Sequence, residues 1–466
     1  MPRPPTPRRL SLAAALLTTL AFAQHGPGAG RGGPNHHNAG ADSGIFQTAV
    51  PAHPLDVILS RPTTSSVTLS LLAYADTSAT LAYTPDGASR PLSLKAGHPQ
   101  SIEITNLAPD SIHEYSIAAP GQTTINGAFR TARAPGQSFT FDLQACSHLD
   151  ENTSPAVYIN TLRNVAADHP DLFFDLGDTF MVDKYPTFTD AAPQYLAQRY
   201  YLGIPGSSTA VFLTLGNHDG EQGWRDHQTG MSSWANAMRL RYFPPVTTNS
   251  FYSAGPTTAN YYAFTWGDAL FVVLDLFTQS TQKPHSDSDG WQRTLGRTQY
   301  DWLAHTLSTS HARFKFVFIH HLVGGLDKDS RGGIEASTFF EWGGNNLDGT
   351  PGFSHNRPGW PQPIHQLLVA NHVTAVFHGH DHLYVRQQRD GILYLEVPQP
   401  SAAREDQTNS AADYGYHNGV LLGSPGHIRV TVSPNSATVE YVKSRLTGRN
   451  AQIADRTVLH PTQVAP

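Results

Sequence analysis

The chain changes its hydrophobic rhythm once. Between residues 45 and 135, apolar and polar positions alternate over short runs such as SSVTLSLLAY, QSIEITNL and HEYSIAA. Pro, Gly, Asp and Asn turns separate these runs at about ten-residue intervals, which predicts a small antiparallel sandwich. From residue 138 the runs become continuously apolar, and amphipathic stretches lie between them. SFTFDLQA is followed by a predicted helix near 154–168, then DLFFDLG, a helix near 190–202, and AVFLTLGN. YYAFTWGDALFVVLD, a helix near 297–309, FKFVFIHH, a helix near 362–371, TAVFHGH and ILYLEV continue the series. Strands that are apolar on both faces, with helices between them, predict sheets covered on both sides. HIRVTVS and ATVEYVKS, joined by Pro434-Asn435-Ser436, read as a closing hairpin. The expected organisation is a sandwich over 45–135, a catalytic domain over 138–445, and a tail over 446–466.

The amino terminus changes the picture of where the protein works. Arg3, Arg8 and Arg9 precede a short apolar stretch from Leu10 to Phe22, and Ala21-Phe22-Ala23 supplies a small-x-small cleavage site. This predicts a signal peptide over residues 1–23. The Arg8-Arg9 pair matches a twin-arginine signal only in part, so the export route stays open. Residues 24–44, rich in Gly, Pro and His, read as a linker. The apolar stretch is too short to span a membrane, and no other segment reaches that length. A secreted or periplasmic protein with no membrane span in the mature chain is expected.

Composition narrows the chemistry. The 466 residues carry 31 Lys+Arg against 37 Asp+Glu, a formal charge of −6. No basic footprint for nucleic acid is evident. A single Cys rules out an intramolecular disulfide and any Cys-based zinc knuckle. The 24 His residues are the first hint of a metal site.

Polar residues cluster where the apolar strands end, which is where α/β sheets usually hold ligands. Five such ends stand out: Cys146-Ser147-His148, Gly177-Asp178, Gly216-Asn217-His218-Asp219, His320-His321 and Gly379-His380-Asp381-His382. Alone, a Gly-Asp is a turn and a His-His pair is a strand end. Together and in this order they resemble the calcineurin-like metallophosphoesterase superfamily. With the preceding sandwich, and with NLAPDSIHEYSI and FRTARAPG within it, the chain is similar to purple acid phosphatases and their fibronectin type III-like domain. The resemblance implies an α/β (α+β) four-layer fold, in which a β-sandwich is flanked by helices and preceded by a small all-β fibronectin III-like sandwich.

The resemblance also implies roles. Asp178 would bridge two metal ions (divalent or trivalent; Fe, Zn or Mn). His148, His382 and the residue at 146 would complete one site, and Asn217, His320 and His380 the other. His218 would contact the phosphoryl group and protonate the leaving oxygen, with Asp219 orienting it. His321 would face the substrate or support the ligands. Imidazole, amide and carboxylate donors independently suit Zn, Fe or Mn better than Ca. The implied reaction is hydrolysis of small phosphate monoesters by a metal-bound hydroxide. A phosphodiesterase or nucleotidase shares the same motifs. A non-catalytic envelope binding protein with a degenerate site is the alternative from another class.

Two departures from the pattern matter. Position 146 should be Asp and is Cys, either a thiolate ligand, as PhoD-type phosphatases use on iron, or a defect in the first site. Asp150 sits on the same loop at the wrong spacing to replace it. Met181 stands where the coloured members have Tyr, so no tyrosinate-to-iron band is expected. Arg331 reads either as a phosphate clamp or as a solvated surface residue, and Tyr384 either lines the site or packs.

Overall fold

The computed structural model describes residues 46–461 except 85–87 and 256–259. The expected signal peptide and linker lie outside the described residues. Two large sheets face each other. In the first, three strands run parallel, Phe139–Gln144, Leu172–Asp175 and Ala210–Leu213. The second has a parallel centre of Ala269–Val273, Phe314–Phe318, Ala375–His378 and Ile392–Glu396. Alternate residues of these strands meet between the sheets in an aromatic core. Phe174 and Phe318 stack at 4.5 Å, and Phe141 meets Phe271 edge-on at 5.0 Å. The other faces are covered by helices Pro155–Asp168 and Ala192–Gly206 on one side, and Arg297–Thr309 and Ile364–Ala370 on the other. Four layers result, because each strand is apolar on both faces and must be covered on both.

The helices form where the periodicity places them, and local signals fix their ends. Ser154 caps the first by accepting from the Val157 amide, and Pro155 occupies its first turn, where a missing N–H costs nothing. Residues 223–242 form two further helices, Gly223–Thr229 and Met231–Tyr242. Their polar residues hide a weak amphipathic pattern.

The amino-terminal strands make a sandwich. Leu55–Ser60, Val67–Ala73 and Gln100–Ile104 face Ala88–Leu94, Thr77–Tyr83, Ile112–Ala118 and Ile125–Arg130 across a core that includes Leu69, Leu81, Ile104 and Ile117. This sandwich is not detached. Leu59 pairs in parallel with Ala210, so three of its strands extend the first large sheet to nine. Arg199, fully buried, ties helix Ala192–Gly206 to it through the Ser70 hydroxyl at 2.9 Å. At the other edge, residues 446–466 are not simply a tail. Gln452–Leu459 pairs antiparallel with Ser436–Lys443, and its Asp455 accepts from Tyr384 at 2.6 Å. Tyr384 therefore packs, stacked on Tyr441 at 4.6 Å. Among the described residues no helix is long and apolar enough to cross a membrane.

Candidate metal centre

The five polar strand ends converge at the carboxyl edges of the two sheets. The turns that carry them are unusual. Cys146, His148, Asp178, His380 and His382 all have positive φ, at 61°, 49°, 56°, 88° and 60°. Non-glycine residues pay roughly 1–2 kcal/mol each for this conformation, so such clustering marks a site that the surrounding fold holds in place. The turns brace one another: the Cys146 amide donates to Gly177 O at 2.8 Å, and the His380 amide to Cys146 Sγ at 3.2 Å.

Asp178 is central. Its Oδ1 accepts from the His218 amide at 2.8 Å, and its Oδ2 lies 3.2 Å from His320 Nε2 and 3.5 Å from His148 Nε2. Burial opposes its charge, but the His320 and His218 imidazoles hold the carboxyl well below the usual range. Cys146 Sγ groups within 4.8 Å with ligand atoms of His148 and His382, and likewise with those of Asp178 and His320. The thiol is thus shared between the two halves of the cluster. Burial and the Asp178 charge push it far up.

Three of the imidazoles are oriented from behind. His320 Nδ1 donates to Leu176 O at 2.7 Å, which turns Nε2 toward Asp178 and toward Asn217 Oδ1 at 3.0 Å. His148 Nδ1 faces Asp150 Oδ2 at 3.2 Å, so Asp150 supports a ligand rather than replacing Cys146. Burial lowers the His148 pKa, yet the Asp150 and Asp178 carboxylates outweigh it and raise the value to about 9. His380 Nε2 donates to Asp329 O at 2.7 Å. Burial holds His380, His382 and His321 neutral, the form that binds metals. Among the described residues His148 Nε2 and His380 Nδ1 are buried without a hydrogen-bond partner. Two orphaned nitrogens, a buried thiol and one carboxylate between them fit bound metal better than any protein-only network.

Asp219 does not orient His218. Its carboxylate accepts four backbone amides, Gly216 and Phe180 at 2.7 Å, Thr179 at 2.8 Å and Asp178 at 3.1 Å. It stitches the Gly-Asp turn to the Gly-Asn-His turn. Burial beside the Asp178 charge pushes its carboxyl up to about 7 against those four donors. The partner of His218 is Asp183, 2.9 Å from Nδ1. The sequence offers no signal for Asp183, which lies in a short turn outside every motif. Glu396 was equally silent: it accepts the Asp381 amide at 2.8 Å and so supports the turn bearing His380 and His382. Arg331 is not a surface residue, because its Nη1 donates to Asp381 at 2.8 Å and to His380 O at 3.1 Å.

Comparison with known proteins follows this geometry. Residues 145–384 match the family model described as calcineurin-like phosphoesterase. Among solved structures, PhoD superposes with a TM-score of 0.61 at 16% identity over 90% of each chain. Purple acid phosphatase PPD1 from yellow lupin (Lupinus luteus) seeds gives 0.58 at 14% identity, over 87% of this chain and 74% of that one. At such identities these likenesses speak for the fold alone. No curated protein sequence matches the chain.

Proposed function

The chain belongs to the calcineurin-like phosphoesterase family and is a phosphoric ester hydrolase; from that premise we propose a binuclear metal-dependent enzyme acting on small phosphate monoesters outside the cytoplasm. One observation carries the binuclear reading. The Asp178 carboxylate stands between the His148 and His320 imidazoles, with Cys146 in reach of both groups. His148, His382, Cys146 and Asp178 would hold one ion, and Asp178, Asn217, His320 and His380 the other. Bound there, two cations would screen the charge of the phosphate ester and acidify a water, which is what hydrolysis of an anionic ester needs.

The chain's own residues supply the rest. His218 Nδ1 donates to Asp183, which leaves Nε2 as the working nitrogen, 3.1 Å from Asn217 Nδ2. From that position it would deliver a proton to the leaving oxygen. Asp183 fixes the orientation of the ring. Asp219 acts one step back, by fixing the backbone on which Asp178 and His218 stand. Export is supported by the basic and apolar amino-terminal residues. The motif spacing supports a catalytic domain over 138–445.

The test is metal content per chain by elemental mass spectrometry, joined to turnover of p-nitrophenyl phosphate and its bis-ester. Two equivalents of Fe, Zn or Mn and faster monoester turnover are expected. Fewer than two equivalents would overturn the binuclear reading, and faster diester turnover would overturn the monoester assignment.

A further inference from the structure

Helix Gly223–Thr229 carries Trp224 and Arg225 to the His218 side of the centre, and the turn after Asp287–Gln292 brings Arg293 against them. The Arg293 guanidinium carbon stands 4.8 Å from the Trp224 ring centroid. Arg293 is only 6% exposed. Its Nε and Nη1 nevertheless have no hydrogen-bond partner, and no carboxylate pairs with it among the described residues. Among the described residues its Nη2 makes no hydrogen bond either.

Other buried arginines of this protein are treated differently. Arg239 pairs with Glu221 at 2.6 Å, Arg331 with Asp381 at 2.8 Å, and Arg199 donates to Ser70 and to Tyr242 O. Burying a guanidinium without a counter-charge is unfavourable, and such groups normally sit in full networks. Burial draws the Arg293 pKa down to about 10; the Asp329 charge opposes this, and Arg225 adds to it. Asp329 itself is bonded to Lys328 at 2.8 Å.

Arg225 sharpens the imbalance. Its Nη2 donates to Asp183 at 2.7 Å, while its Nε is buried and unpartnered among the described residues. Asp183 already serves His218, so one carboxylate answers both a guanidinium and an imidazole. The His321 ring lies 5.0 Å from that of His380, and its Nε2 is also unpartnered among the described residues.

Resting on the phosphoesterase reading, we propose that Arg293, flanked by Arg225 and backed by Trp224, is a subsite for a second anionic group carried by the leaving alcohol. The side follows from His218, the leaving-group residue, which the Asp183–Arg225 contact joins to these side chains. The preferred substrates are phosphate esters whose alcohol bears a carboxylate or a further phosphate. A guanidinium suits either anion, because its parallel N–H groups match two oxygens.

The test is calorimetric binding of non-hydrolysable ligands to the metal-loaded protein. Propylphosphonate has one anionic group; 3-phosphonopropanoate adds a carboxylate, and propane-1,3-bisphosphonate a second phosphonate. At least one doubly anionic ligand is expected to bind about 10–100-fold tighter than propylphosphonate, the worth of a charge-assisted contact. Which one gains identifies the anion. In Arg293→Met the gain should vanish while propylphosphonate affinity holds, and Arg293→Lys should keep part of it. No gain in the native protein, binding of none of the three, or a gain that survives Arg293→Met would overturn the subsite. An equal loss for all three ligands would overturn it too, by placing Arg293 on the reacting phosphoryl group or in the fold. Turnover of p-nitrophenyl phosphate separates this proposal from its premise. A gain without turnover leaves the subsite standing and the catalytic reading fallen; turnover without a gain does the reverse.

Discussion

Asp183 Oδ1 lies 2.9 Å from His218 Nδ1, and its other oxygen accepts from Arg225 at 2.7 Å. A carboxylate in that position fixes the tautomer and the orientation of the ring. Asp183→Asn keeps the shape and loses the charge. We expect kcat to fall about 10–100-fold with both metals retained, the usual scale for a group orienting a catalytic imidazole. Rate and metal content measured on one preparation decide it: a variant of native rate would remove Asp183 from the mechanism.

Asp219 makes the opposite prediction. Because it accepts four backbone amides, Asp219→Ala leaves those donors buried and unpaired. Each orphaned group costs about 1–3 kcal/mol, so thermal stability and metal content should drop together. If Asp219→Ala unfolded at the native temperature and kept its metals, the stitching role would be wrong.

These two aspartates show what the sequence made legible. The strand-end motifs were readable because a parallel strand is a continuous apolar run and its last residues are polar. Asp219 could be placed in the site from its motif but not assigned a partner, since hydrogen bonds to backbone amides leave no side-chain pattern. Asp183, Glu396 and the buried state of Arg331 arise from segments far apart in the chain meeting at the sheet edges. The junction of Leu59 with Ala210 was hidden for the same reason. A ten-residue rhythm reports a sandwich but not the sheet it joins.

Cys146 tests whether the departure from the motif is a ligand. Its Sγ lies in both ligand groups. We expect Cys146→Ala to lose at least one metal equivalent and Cys146→Asp to keep both. Iron-loaded native protein should show a thiolate-to-iron band that disappears in Cys146→Ser, and no phenolate band, because Met181 holds the Tyr position. A large gain of activity in Cys146→Asp would instead mark the native site as impaired.

The packing of Gly216 against Asp178 gives a steric prediction. A Cβ at Gly216 would lie 2.1 Å from the Asp178 amide nitrogen and 2.3 Å from Asp178 Oδ1. Gly216→Ala must therefore move the Asp178 carboxylate, with an expected loss of metal and on the order of 3 kcal/mol of stability. Gly203→Ala is the control. Its Cβ would meet only Val57 O at 3.5 Å, inside a helix where Ala is favoured over Gly by about 0.5–1 kcal/mol. If both variants behaved alike, the close approach at Gly216 would not be what limits the site.

A pH-dependent contribution to stability is built into the sandwich at His53. Its Nε2 stands 2.7 Å from Asp56 Oδ1 and its Nδ1 2.7 Å from Pro51 O, so both ring nitrogens face acceptors. Tyr74 holds the other Asp56 oxygen at 2.6 Å. The Asp56 hydrogen bond raises the His53 pKa, burial opposes it, and Pro51 O adds to the rise. The folded protein thus binds this proton more tightly than the unfolded chain. The resulting stability is fully present below the unfolded value of about 6.5 and is lost as pH rises through the higher folded value. The ring is partly solvated, so the effect is at most about 1 kcal/mol. Native protein and His53→Gln should differ most in Tm near about pH 6 and converge toward about pH 9, in melts at constant ionic strength. A gap that stayed constant over that range, or widened at high pH, would show that His53 contributes through packing on Tyr74 and Tyr200 rather than through its charge.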